Sequence, residues 1–336
     1  MMFRSPLPLL LIALVAAAVS AVLIYLLRPA LQQYALARPN ARSSHLLPTP
    51  QGAGIAVIAA TLLVAGSFIA FMRLPIPQLL FGATLFIALV GVADDIRSIA
   101  VLPRLLLQAA AVALIVFTLS PDLRLVPELP LGIERGLIFL GALWFVNLVN
   151  FMDGLDWITA AEVVPMAGAL AIFGFLGVLP APTTIITAAL FGAMIGFAPF
   201  NRPVAKVFLG DVGSLSIGLL LGSCLLELAY RQHLTAALLL PLYYLADSTV
   251  TLLARLVRGE PFWAAHRSHF YQRATDHGFT VLAVVGDVFV LNLLLAGLAI
   301  GTTVIQSRLV VLVSWLASCL AVGLVMYRFS RPRPPR

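Results

Sequence analysis

Charge is what this 336-residue chain has least of: Asp, Glu, Lys and Arg make up 10% of it, against 61% hydrophobic residues. A soluble domain carries about 25% charged residues. A soluble fold of this length could not hide so much apolar surface, so the scarcity excludes a soluble enzyme or binding module. It implies one integral membrane unit over residues 1–330, followed by a short, disordered basic tail over 331–336. Cysteine is nearly absent. Cys224 and Cys319 both sit inside apolar runs, which excludes a disulfide framework or a cysteine zinc site. Acids are outnumbered, and the formal net charge is +7. In a soluble chain that excess could mean nucleic acid. Here the arginines fall between apolar runs, so they report orientation in a bilayer, and no nucleic-acid partner is expected.

Long apolar runs are what the chain has in abundance. The first, Leu7 to Leu27, carries no charge. It exceeds the roughly 7–15 residues of a signal-peptide core and matches the ~20 residues a helix needs to cross a bilayer. We read it as a retained span. About eleven such spans follow from the pattern, near 7–27, 53–72, 77–93, 103–120, 136–151, 158–178, 182–198, 213–229, 235–256, 279–304 and 309–328. The expected fold is therefore an all-α polytopic membrane protein. Loops after odd-numbered spans, with the C-terminal tail, hold fifteen of the 21 basic residues; the other face holds six. The positive-inside bias puts the odd loops and the C-terminus in the cytoplasm and the N-terminus outside.

The polar residues worth chemistry fall on that same cytoplasmic side. Asp94-Asp95 ends a span. Adjacent carboxylates about 4 Å apart at an effective dielectric of ~20 repel by about 4 kcal/mol, a cost that a cation removes; the plainer reading is a solvated helix end. Asn147, Asn150, Asp153 and Asp156 recur every three positions, which on a continuing helix would line one broad face. Four such groups at this depth are costly unless used. Phe208-Leu-Gly-Asp211-Val-Gly-Ser214 places one acid between glycines just before a span; Asp211 suits either a helix cap or a metal ligand beside phosphate oxygens. His266, Arg267, His269, Arg273 and His277 form the most cationic loop, suited to phosphate or simply to positive-inside charge. Arg42-Ser-Ser-His45, leading into Pro48-Thr-Pro-Gln-Gly-Ala-Gly54, reads as a structured loop with rigid prolines. Asp247, deep in a span, could mark a transport path; an interhelical hydrogen bond is the better reading.

In this order the motifs resemble the polyprenyl-phosphate N-acetylhexosamine-1-phosphate transferases, glycosyltransferase family 4, from about Arg42 to His277. The loop His266-Arg-Ser-His-Phe-Tyr-Gln-Arg273 is most similar to members that start O-antigen or related surface glycans. The resemblance implies transfer of a sugar-1-phosphate from a UDP-N-acetylhexosamine to polyprenyl (undecaprenyl) phosphate at the cytoplasmic face of a bacterial inner membrane. It implies Mg²⁺, with Mn²⁺ as a substitute, held by Asp211 and Asn150. Asp94 or Asp95 would activate the lipid phosphate. Arg104 and Arg267 would contact pyrophosphate oxygens, with Arg42, His45, His266 and His269 as further substrate contacts. Phe208 would stack on uracil, with Asp153 and Asp156 near the uridine. A homodimer is left open. The chain departs from the pattern at Gln51, where a basic residue is common, at Ala53, where a glycine is, at Ser98, where an acid often follows the pair, and at Trp157, which replaces a common glycine. The competing reading is a transporter or lipid flippase without chemistry, which would place its polar groups near the bilayer midplane. A CDP-alcohol phosphotransferase would need an Asp-Gly, Ala-Arg, Gly, Asp signature that the chain lacks.

Overall fold

The computed structural model describes residues 5–37, 48–260 and 266–333. Among them lie thirteen helices, numbered in chain order, and one short antiparallel ribbon, in which β1 (Leu36–Ala37) pairs with β2 (Thr49–Pro50). The protein is an all-α, multi-pass membrane protein. Eight helices are long and apolar enough to cross a bilayer: α1 (Leu7–Tyr34), α2 (Gly54–Phe71), α3 (Gln78–Ile96), α5 (Leu131–Met152), α6 (Ile158–Phe175), α8 (Asp211–Tyr230), α12 (Val281–Val304) and α13 (Arg308–Phe329). Two shorter apolar helices, α4 (Val101–Phe117) and α7 (Ala181–Phe197), coincide with two more of the expected spans.

The remaining expected span, 235–256, is corrected by the structure. It is two helices, α9 (Leu234–Leu239) and α10 (Leu242–Val257), broken at Pro241. Proline has no N–H to donate, and its ring clashes with the preceding turn. The short α11 (Phe270–Asp276) was not expected. The C-terminal tail is anchored as far as it is described: Arg333 N donates to His277 O at 2.9 Å, and its guanidinium lies over the Phe279 ring.

Packing follows from small residues. On α7, a Cβ at Gly192 or Gly196 would strike the backbone of Ala13 or Ala17 on α1. These are small-xxx-small faces, which let helix backbones approach where lipid offers no hydrophobic drive. α6 and α8 are enclosed on most sides, whereas α13 turns Leu309, Leu312, Leu316 and Leu320 outward. The C-terminal ends of α3 and α5 and the N-terminal ends of α4 and α8 meet at one end of the bundle.

Candidate active site

The site is built around the first turn of α8. Gly210, at φ +77°, turns the chain into that helix, and a Cβ there would collide with the Asp95 carboxylate and the Gly52 amide. Gly91 on α3 similarly lets the Val212 backbone approach. Asp94 and Asp95 sit at the C-terminal end of α3, where the helix dipole disfavours negative charge. The fold uses both elsewhere. Asp95 accepts from Asp211 N (2.9 Å) and Val212 N (3.2 Å), so it caps the start of α8 from a neighbouring helix. Asp211 does not cap its own helix, one of the two roles that its position suits; its carboxylate faces the cluster.

Asp94 points the other way. It accepts from Ile99 N (2.5 Å) and from Arg104 Nη1 (2.7 Å). The same nitrogen donates to Asp211 Oδ2 at 3.0 Å. Asn150 Nδ2, on the last turn of α5, donates to Asp211 Oδ1 (2.9 Å) and to Ser214 Oγ (3.0 Å). The Asp211 side chain is 25% exposed and Arg104 23%. Two carboxylates, those of Asp94 and Asp211, thus share one guanidinium at a half-open site, with Asp95 beneath them. The first motif is laced onto this turn by backbone: Phe208 N donates to Pro50 O (2.7 Å), Ala53 N to Phe208 O (3.0 Å) and Gly54 N to Leu209 O (2.8 Å). Gln51 Nε2 donates to Asp95 O at 2.8 Å.

The Asn/Asp motif does not continue as one helix face. α5 ends at Met152, Asp153 is its C-cap, and Asp156 lies in the turn beyond. Asp153 accepts from Thr159 Oγ1. Burial pushes its carboxyl up to about 7; the Thr159 bond opposes this, and the charges of Asp211 and Asp156 add to it. Asp156 is buried and accepts from Ala205 N at 3.0 Å, tying the turn to the loop before Phe208. Trp157 stands at φ +66°. That left-handed conformation costs an L-residue roughly 1–2 kcal/mol, which explains a glycine preference at this position. Here it is held by Trp157 N donating to Asn201 Oδ1 (2.7 Å) and the indole Nε1 to Ala198 O (2.6 Å).

The cationic loop is pinned by Asp247, a buried acid of α10. It accepts from Tyr243 OH (3.1 Å), Thr251 Oγ1 (3.2 Å), Phe270 N (3.0 Å) and Tyr271 N (3.1 Å), and His269 Nδ1 lies 3.2 Å from it. Asp247 is therefore the interhelical hydrogen-bonding group preferred from the sequence. Tyr271 OH donates to Phe151 O at 3.1 Å, bringing α11 against the end of α5. Burial raises the Tyr271 phenol well above its ordinary value, which keeps it a hydrogen-bond donor. Arg267 Nη2 reaches Thr275 Oγ1 (3.0 Å) and Asp276 (3.2 Å), and His266 Nδ1 lies 2.9 Å from Ser268 Oγ. His277 turns away, its Nδ1 2.8 Å from Phe329 O.

Of the expected site residues, Asp94, Arg104, Asn150 and Asp211 thus come together directly. Asp95 supports them from beneath, while Asp153, Asp156, Phe208, His266, Arg267 and His269 lie on segments packed around the same end. Arg42 and His45 lie outside the described residues. Asn201 was not anticipated; it bridges Trp157 N and Val207 O, the latter at 3.0 Å, and nothing in its local pattern marks it. An apolar groove of about 290 Å³ runs from Arg104 and Asn147 past Leu105, Leu140, Trp144 and Leu252.

Fold and site define a polytopic membrane protein whose acid, amide and arginine centre opens onto a greasy channel at one end of its helices. The chain matches the glycosyl transferase family 4 model over residues 77–229, the stretch that holds Asp94, Arg104, Asn150 and Asp211. It is similar to a probable undecaprenyl-phosphate N-acetylglucosaminyl 1-phosphate transferase of Bacillus subtilis, at 27% identity over 78% of this chain and 77% of that protein. A decaprenyl-phosphate N-acetylglucosaminephosphotransferase of Mycolicibacterium smegmatis is 28% identical over 73% of this chain and 69% of its own length. A phospho-N-acetylmuramoyl-pentapeptide-transferase of Enterococcus faecalis reaches 36% identity, over 41% of this chain and 42% of its own length.

Proposed function

We propose that the protein transfers an N-acetylhexosamine-1-phosphate from a UDP-sugar to a polyprenyl phosphate in a bacterial inner membrane, from the cytoplasmic side, and so starts a cell-surface glycan. The observation that carries this reading is the juxtaposition of the Asp94–Arg104–Asp211–Asn150 cluster with the apolar groove. A polar centre handles phosphate, and the groove suits a lipid chain. The relatives' names support a polyprenyl phosphate acceptor and an N-acetylglucosaminyl 1-phosphate group. A flippase or transporter would place its polar groups at mid-depth, whereas here they gather at one end.

In the reaction, an oxygen of the lipid phosphate bonds to the β-phosphorus of the donor. The bond from that phosphorus to the bridging oxygen breaks, and UMP leaves with the electron pair. Arg104 and Arg267 hold phosphate oxygens, Asp94 orients the attacking phosphate, and Phe208 stacks on the base. Asp156 and Asn201 shape the uridine side of the pocket through the Ala205 and Trp157 amides. Phosphoryl-type transfer is mostly positioning and electrostatics, so such a cluster suffices.

Among the described residues, no three His, Cys, Asp or Glu side chains form a ready-made metal cage. Mg²⁺ ordinarily takes only one or two protein carboxylates beside substrate phosphates, and a half-open cluster with more carboxylates than cations fits that demand. Asp211 and Asn150 would hold it, and it would offset the charge of two anionic reactants. Asp211→Asn should lower Mg²⁺-dependent UMP release by at least about a hundredfold while leaving the thermal midpoint in detergent near wild type. Near-normal turnover would remove Asp211 from the reaction.

A further inference from the structure

One side chain in the groove is left unexplained by that reading. Gln108, on α4, is 1% exposed, yet its Oε1 has no hydrogen-bond partner among the described residues. It lines the same groove as Arg104 and Asn147. It stands four residues after Arg104, so the two side chains lie one above the other on one helix face. A buried amide with an empty valence costs stability and returns nothing to the fold. Asn201, by contrast, spends both ends of its amide on structure, accepting from Trp157 N and donating to Val207 O. Gln108 differs in facing a cavity whose remaining walls are largely Val101, Leu105, Leu140 and Leu143.

We infer that Gln108 is a positioning residue for the acceptor, its amide hydrogen-bonding the phosphate of a lipid phosphomonoester whose chain fills the groove. The inference rests on the proposed use of polyprenyl phosphate. Arg104 takes the phosphate from the polar side, and Gln108 takes it from one turn deeper. Rotation about its last bond turns the amide N–H₂ toward a phosphate oxygen. The pair of contacts holds the phosphate at a fixed depth along the groove. The donor sugar nucleotide lies on the other side of the cluster, so Gln108 acts on one substrate only.

The test uses the full chain in detergent and the variants Gln108→Leu and Gln108→Met, with thermal midpoints recorded for each. A hydrogen bond to a charged group predicts about a ten- to hundredfold rise in KM for polyprenyl phosphate. KM for the UDP-sugar and kcat should stay within about twofold, the signature of an interaction made equally in the ground and transition states. Binding is read independently, without donor, by titrating polyprenyl phosphate against the fluorescence of Trp144, which lines the groove, with Trp144→Phe as the control. Phosphatidate, a lipid phosphomonoester with a different chain, is titrated in parallel; binding it as tightly would assign the groove to lipid phosphate in general. Unchanged acceptor KM and unchanged binding in both folded variants overturn the inference, as does a parallel rise in both KM values. If wild type binds polyprenyl phosphate in a Gln108-dependent way but releases no UMP, the inference stands and the proposed reaction falls.

Discussion

The two ends of the helix bundle solve the same problem in opposite ways. At the end away from the candidate site, Glu134 and Arg135 are both buried on the first turns of α5. Glu134 accepts from Arg124 and from Leu125 N (2.5 Å) and Val126 N (3.1 Å). Arg135 donates to Tyr230 OH (2.6 Å), Ser120 O (2.7 Å) and Leu123 O (2.9 Å). Glu134 is paired with Arg124, Arg135 is satisfied by hydroxyl and carbonyl oxygens, and the cluster clasps the segment between α4 and α5. At the other end Asp94 and Asp211 share Arg104, and the centre stays half-open. A satisfied buried network rigidifies; an unbalanced one invites a ligand of the missing charge. At the candidate site the carboxylates outnumber the cation, an imbalance that a divalent cation beside substrate phosphates would offset.

Removing one arginine from each end should break that comparison most sharply. Arg104→Ala should lower turnover about a hundredfold or more, since each charge-assisted hydrogen bond contributes about 1.5–3 kcal/mol, and change the thermal midpoint little. Arg135→Ala should reverse the pattern. Turnover per folded molecule should stay within twofold, while stability falls by about 1–3 kcal/mol as its neutral oxygen partners lose their donor. Measured side by side by UMP release and thermal unfolding, equal effects at both ends would refute the contrast.

A smaller effect separates the two adjacent acids. Asp95→Asn weakens the cap on α8 and should cost about 0.5–2 kcal/mol, with a partial loss of activity as Asp211 shifts. Asp94→Asn should leave stability near wild type and reduce turnover more. Equal stability losses from the two substitutions would mean that they are not divided between cap and centre.

A separate effect is a pH dependence at Asp153. Its folded value of about 7 lies above its ordinary 3.8, so the folded state holds the proton more tightly. Below about pH 4 this group is neutral in both states. As pH rises from there to 7 the unfolded chain ionises first, and the folded protein loses stability. Asp153→Asn should therefore raise the thermal midpoint relative to wild type more at pH 7.5 than at pH 4.5. A pH-independent difference would show that the carboxyl titrates normally.

Much of the fold was legible because apolar runs are long, and bilayer thickness sets their length. The exception, 235–256, contained its own warning in Pro241, masked by leucines on either side. The Asn147–Asp156 spacing misled for a related reason: its period matches a helix face, but the helix ends at Met152, and only Asn147 and Asn150 are helical. The Gly192 and Gly196 contact with α1 and the role of Asn201 carry no local signal, since each depends on a partner distant in the chain.

Hydropathy by itself determined that the chain spans a membrane many times, and the placement of charge pointed to a cluster of candidate polar groups at one end, because transfer free energy is a property of each segment alone. Only the tertiary structure decided which acid of the Asp94-Asp95 pair caps α8 and which faces Arg104, why Trp157 sits in a glycine's conformation, and that Gln108 looks into a groove. Those are facts of direction and distance between helices, and a linear pattern does not encode them until packing brings the helices together.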